Sequence, residues 1–188
     1  MAITNNFSEI LVKYKTQIFL LTMTMGFAAL TAIGARFEIP AYPVPFTLQS
    51  FFVLLSGVVL GKRFGASSQI LYLLIGAAGL PVFSSGGFGL MKIFGPTGGY
   101  LLSFPLVAFL VGYAVEKSQG FWWILGTMFI STAVLFTLGM LHLNFFYIHN
   151  VSEAFEKGFL LFSLWDVVKL LSAAGIAHQI LNWKKIKG

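Results

Sequence analysis

The sequence predicts an all-α integral membrane protein of six transmembrane helices. Three observations predict it. Of the 188 residues, 57% are hydrophobic and 10% charged, against roughly 25% charged in a soluble domain. Apolar runs follow one another with short connections, and at about 20 residues per crossing the length holds about six crossings in a single membrane domain, 1–188, and little else. The charges gather at the ends of those runs, so the formal net charge of +6 marks a membrane surface rather than a nucleic-acid partner.

The first run, 17–35, carries no ionisable residue and is long enough to span. Its length after Lys13 and Lys15 favours a membrane helix over a cleaved signal peptide. Ala28 and Ala32 form a small-xxx-small pair on it, which suits close approach of another helix inside the bundle or of a partner subunit. Further runs are expected at 46–61, 66–83, 99–114, 121–147 and 158–183. The second is short and flanked by polar residues, so tilt, breakage or burial away from lipid is open for it. Between the third and fourth runs, residues 82–98 hold Gly86, Gly87, Gly89, Gly95, Pro96 and Gly98, too much glycine for a helix. This is a glycine-rich loop, extracellular in the orientation that follows.

Eight basic residues (Lys13, Lys15, Lys62, Arg63, Lys117, Lys184, Lys185, Lys187) fall on one side of the membrane and three (Arg36, Lys92, Lys157) on the other. Cytoplasmic loops collect Lys and Arg, which places both termini in the cytoplasm. The polar groups Arg36, Glu38, Thr47, Gln49, Ser84, Ser85, Lys92, Thr97, Asp166 and Lys169 then belong to the outer half. Asp166 and Lys169 stand about 8 and 11 residues into the sixth run, roughly 12 to 17 Å along it and near mid-membrane. Their i,i+3 spacing puts them on one face, as a structural ion pair or as ligand contacts.

The run Gly95-Pro96-Thr97-Gly98-Gly99-Tyr100 reads as a recognition loop, since irregular backbone at membrane depth survives where it is buried or lines a cavity. A plain connector is the alternative. Pro40, Pro43 and Pro45 stiffen the first outer connection, a rigid corner or one wall of a pocket into which Gln49 brings an amide that both donates and accepts. Tyr42, Phe46, Phe83 and Tyr100 suit a pocket lining and an interfacial aromatic belt equally.

Several chemistries are excluded or unsupported. Cysteine is absent, which removes disulfides, thiol nucleophiles and thiolate metal sites. The chain has no GK[ST] triplet, no GxGxxG before a helix and no GxSxG elbow, so neither nucleotide binding nor any other cofactor is expected. His142 and His149, two turns apart, suit no shared metal ion. No enzyme reading gains support.

In order, Pro43-Val44-Pro45-Phe46-Thr47-Leu48-Gln49, Gly76-Ala77-Ala78-Gly79-Leu80-Pro81-Val82-Phe83, Gly95-Pro96-Thr97-Gly98-Gly99-Tyr100 and Asp166-x-x-Lys169 resemble the BioY family, over about 35–171. The resemblance implies a biotin-specific substrate-binding (S) component of an energy-coupling factor transporter in a prokaryotic cytoplasmic membrane. Its implied partners are biotin, membrane lipid, a transmembrane coupling protein and two ATP-binding subunits, with no nucleic acid. An S component for another vitamin, or a stand-alone facilitator, is the alternative. The ligand residues expected are Phe46, Thr47, Gln49, Phe83, Ser85, Gly86, Gly95, Thr97, Gly98, Tyr100, Asp166 and Lys169. Ala28-x-x-x-Ala32 matches the alanine motif that docks the coupling protein in S components. One departure is Ser84-Ser85, where glycine or another small polar residue is expected after Pro81-Val82-Phe83.

Overall fold

The computed structural model describes residues 2–160 and 164–187, and the side chains of 14–160 and 165–183. The side chains of Lys13, Lys184, Lys185 and Lys187, and residues 161–163 of the sixth run, lie outside the described residues. Helices dominate: α1 (Ala2–Gly34), α2 (Gln49–Ala77), α3 (Gly89–Ile93), α4 (Gly98–Lys117), α5 (Phe121–Leu143), α6 (Val151–Gly158) and α7 (Leu164–Lys187). Two two-residue strands, β1 (Glu38–Ile39) and β2 (Phe46–Thr47), pair antiparallel with Glu38 opposite Thr47 and close the corner between α1 and α2.

Four helical segments among the described residues are long and apolar enough to cross a membrane: Tyr14–Gly34, Gln49–Ala77, Gly98–Lys117 and Phe121–Ile148. This corrects the expectation of six, for a different reason at each of two places. The second and third runs belong to one helix broken at Gly61 (φ 76°, ψ 177°), a conformation open essentially to glycine. The chain doubles back there, so that Gln49 reaches Tyr72 and Ser56 reaches Gln69. Its arms, 49–60 and 62–77, are about 18 and 24 Å long, short of the roughly 30 Å hydrocarbon core. Phe46 and Thr47, assigned to the second run, sit in β2. The sixth run falls mainly on α7, which its 24 residues make long enough to cross, but Asp166, Lys169, His178, Gln179 and Asn182 make it less apolar than the other four. Residues 82–98 also hold one turn of helix, α3, flanked by glycines.

The described side chains expose many large apolar groups around a mostly apolar core that also holds several polar ones. Ile18, Phe19, Met25, Phe129 and Ile130 lie exposed along the helices, while Thr31, Ser56, Ser68 and Gln69 are wholly buried. These polar groups have partners: the Gln69 amide donates to Ser56 (3.2 Å) and Ser68 (3.1 Å), and the Thr31 hydroxyl donates to the Phe27 carbonyl (2.9 Å) and lies 3.3 Å from Gln69 Oε1. Buried polar groups require such partners. The α2–α4 crossing is close because Gly57 and Gly112 have no side chains; a Cβ at Gly57 would stand 2.4 Å from the Ala108 carbonyl. On α7, Asp166, Lys169, Leu170, Ala173, Ala174, Ala177 and Leu181 form a buried stripe, and Trp165, Val168 and Leu171 face outward.

The bundle has two chemically different ends. At one, the break of α2 meets the last turn of α4: Lys62 pairs with Glu116 (2.7 Å), and Lys62 and Lys117 lie over the Tyr113 ring. At the other lie the start of α2, the start of α4 about 30 Å away, and the start of α7. The candidate site is at this second end.

Candidate functional site

A cavity opens where the first turns of α2, α4 and α7 meet α5. It is small, about 70 Å³, below the 300–1,000 Å³ usual for ligand sites. Val44, Pro45, Phe46, Tyr100, Leu101, Phe104, Leu135 and Phe136 give it apolar and aromatic walls. Thr47, Gln49, Ser50, Ser84, Thr97, Asp166 and Lys169 give it polar groups. Such a lining encloses an apolar body and addresses a few polar atoms.

Lys169 is the most completely partnered of these groups. Its ammonium meets Asp166 Oδ1 at 2.5 Å and donates to the Thr47 carbonyl at 2.9 Å and the Ser50 hydroxyl at 3.0 Å. An ammonium has three protons, so Lys169 ties α7 to the corner before α2. Asp166 lies in the first turn of α7, where a carboxylate is favoured by the helix dipole. The mid-helix depth expected for the pair is therefore replaced by a position in the first two turns, because α6 ends at Gly158, a turn follows at 159–160, and α7 starts at Leu164. A carboxylate has about four acceptor sites, so its ion pair with Lys169 is compatible with further hydrogen bonds.

Gln49 is buried at the start of α2. Its oxygen accepts from the Thr47 hydroxyl (2.9 Å) and its amide donates to Tyr72 (2.5 Å). Thr97, just before α4, is also buried, and its hydroxyl oxygen has no hydrogen-bond partner among the described residues. An orphaned buried hydroxyl in a cavity wall is costly by itself and suits a ligand atom. Tyr100 gives its proton to the Gly158 carbonyl (2.7 Å), so it offers the cavity its ring, which packs edge-on to Phe136.

Of the twelve ligand residues expected, the structure brings Phe46, Thr47, Gln49, Thr97, Tyr100, Asp166 and Lys169 to this cavity. Phe83, Ser85, Gly86, Gly95 and Gly98 are not in its lining. Phe83 is buried behind it, edge-on to Tyr72. Ser85 is exposed and donates from its N–H (2.8 Å) and hydroxyl (3.0 Å) to Glu38, while Arg36 donates to the Pro81 carbonyl. Gly86 lies beside Arg36, joining the two outer connections. Gly95 holds its carbonyl 3.1 Å from His142 Nε2. A Cβ at Gly98 would fall 1.9 Å from the Ile93 carbonyl, and one at Gly99 would fall 2.3 Å from His142 Cβ. Within the Gly95–Tyr100 segment, then, glycines allow packing while Thr97 and Tyr100 supply the wall. Val44, Pro45, Ser50, Ser84, Leu101, Phe104, Leu135, Phe136 and Gly158 also line the cavity and are not among the twelve. Ser50 carried a signal, a hydroxyl beside Gln49 at the polar start of an apolar run; Leu135 and Phe136 carried none within a uniformly apolar helix.

Ala28 is buried, whereas Ala32 is half-buried. With Met25, Ala29, Leu71, Tyr72, Ile75 and Val82 they line a shallow apolar groove between α1 and the second arm of α2.

The family model described as the BioY family matches residues 8–186. A relative from Thermotoga maritima, "Biotin transporter BioY", is 45% identical over 154 residues, covering 82% of this chain and 90% of the relative. "Biotin transporter BioY2" of Lactococcus lactis subsp. cremoris is 32% identical over 167 residues, 86% of this chain and 91% of the relative. Among solved structures, the S-component for biotin from an ECF-type ABC transporter superposes with a TM-score of 0.83 at 24% identity, covering 89% of this chain and 93% of that one, a likeness of fold. The chain belongs to the BioY family.

Proposed function

We propose that this chain captures biotin from outside a prokaryotic cell and delivers it inward as the S component of an energy-coupling factor transporter. It is a binding and transport component rather than an enzyme. One observation carries the reading: a largely apolar cavity places Asp166, Gln49 and the orphaned Thr97 hydroxyl around one space. Relatives named as biotin transporters support the choice of ligand.

Biotin's chemistry matches the wall. Its ureido ring has two N–H donors and a carbonyl acceptor, its thioether bicycle is apolar, and its tail ends in a carboxylate. Asp166 accepts a ureido N–H, Gln49 and Thr97 donate to or accept from ligand polar atoms, and Phe46, Tyr100 and Phe136 enclose the bicycle. Lys169 pairs with Asp166 and holds it in place. Nanomolar capture corresponds to about 12.3 kcal/mol, more than a few polar contacts supply, so apolar enclosure contributes the remainder.

The two ends of the bundle support the orientation. Lys62, Arg63 and Lys117 cluster at the end opposite the cavity, which faces the cytoplasm by the positive-inside tendency; both termini lie on that side and the cavity opens outward. Lys157, on α6 near the outer face, is held above the usual lysine range by its hydrogen bond from Nζ to Glu153. The groove beside Ala28 and Ala32 receives the transmembrane coupling protein, and two separate subunits hydrolyse ATP.

Uptake of labelled biotin by a biotin-requiring bacterium tests this reading. The chain expressed with a coupling protein and ATP-binding subunits should restore accumulation, and biotin should compete where thiamine and riboflavin do not. Accumulation insensitive to excess biotin would refute it.

A further inference from the structure

Tyr72 stands outside the cavity, wholly buried on the second arm of α2, yet its hydroxyl determines how Gln49 is oriented. The phenol has one proton, and it goes to the Val82 carbonyl at 3.2 Å. Its oxygen can therefore only accept from Gln49, which fixes the amide nitrogen toward Tyr72 and the amide oxygen toward the Thr47 hydroxyl. One N–H and one lone pair of that amide are left over, in a fixed order. A primary amide with donor and acceptor side by side is complementary to the edge of a cyclic urea, where a carbonyl and an N–H also lie side by side. We infer that Tyr72 is a positioning residue that sets ligand specificity: by donating to Val82 it locks the Gln49 amide so that the cavity reads an adjacent carbonyl and N–H in one order. The inference rests on the reading of biotin as ligand.

The ring needs no hydroxyl to stay in place. It packs edge-on to Phe83 at 5.4 Å and stacks on Phe104 at 6.3 Å, so Tyr72→Phe removes the proton relay and keeps the packing. Without it the Gln49 amide can turn over and present its atoms in the opposite order.

The test compares biotin with 2-iminobiotin, whose ring carries an imino nitrogen where biotin has the ureido oxygen, in titrations of the purified full-length chain. Tyr72→Phe should weaken biotin about three- to tenfold and weaken 2-iminobiotin less, narrowing the preference between them. In a Gln49→Leu background the Tyr72→Phe change should have no further effect on either ligand. Gln49→Glu, which offers acceptors only, should narrow the preference independently of any change at Tyr72. Equal weakening of both ligands, or the same loss in the Gln49→Leu background, would make Tyr72 a packing residue and overturn the inference. Failure of the unaltered chain to bind biotin would remove the biotin reading and this inference together, an outcome distinct from normal biotin binding with an unchanged preference.

Discussion

Lys169 Nζ lies 2.5 Å from Asp166 Oδ1, one turn apart on α7, and both side chains are buried in the cavity wall. The pair also reaches across to the first corner through Thr47 and Ser50, so it serves as a structural tie as well as a polar surface. These two roles separate in one variant.

Asp166→Asn should weaken biotin binding by roughly tenfold to a hundredfold, the loss of a charge-assisted hydrogen bond of about 1.5 to 3 kcal/mol. Asparagine keeps an oxygen for Lys169, which also retains Thr47 and Ser50, so the melting temperature should fall little. Titration and thermal melting of the variant check this. A strongly lowered melting point with unchanged affinity would assign the carboxylate to neutralising Lys169.

Thr97 and Gly98 are adjacent and should respond oppositely. Thr97→Val removes a hydroxyl that has no partner among the described residues, so stability should hold or rise slightly while biotin affinity falls. Gly98→Ala places a Cβ 1.9 Å from the Ile93 carbonyl, so the fold should lose stability by an amount typical of overpacking, about 1 to 3 kcal/mol. The same pair of measurements, dissociation constant and melting temperature, reads both.

The two alanines on α1 also differ. Ala32→Leu, at a half-buried position of the groove, should leave biotin affinity near normal and reduce assembly with the coupling protein, measured by co-purification. Ala28→Leu, at a buried position, should lower the melting temperature as well. Loss of biotin binding by Ala32→Leu would return the groove to internal packing.

For orientation, single cysteines at Lys62 and Lys157 should react with a membrane-impermeant reagent from the cytoplasmic and outer sides respectively. The chain has no native cysteine to interfere. Reversed labelling would invert the topology.

These outcomes depend on features that differ in how plainly the sequence shows them. Asp166 and Lys169 were legible as a pair because charge inside an apolar run is conspicuous and i,i+3 spacing shares a face. Thr97 and Tyr100 are legible as part of a Gly-Pro-Thr motif, whereas the close packing of Gly98 on Ile93 and His142 is not. Composition cannot separate a glycine that admits a ligand from one that admits a helix. The count of crossings failed at Gly61 for a related reason: hydropathy registers an apolar run on each side of it, whereas the arms there are about 18 and 24 Å long, each short of the roughly 30 Å hydrocarbon core. Leu135 and Phe136 gave no signal, since on a helix apolar all round the face that meets a cavity is fixed by packing.

The most direct measurement is calorimetric titration of the purified full-length chain with biotin, using thiamine and riboflavin as controls. The account predicts one biotin bound per chain with a submicromolar dissociation constant and no heat from either control. Heat from thiamine or riboflavin with none from biotin would contradict it.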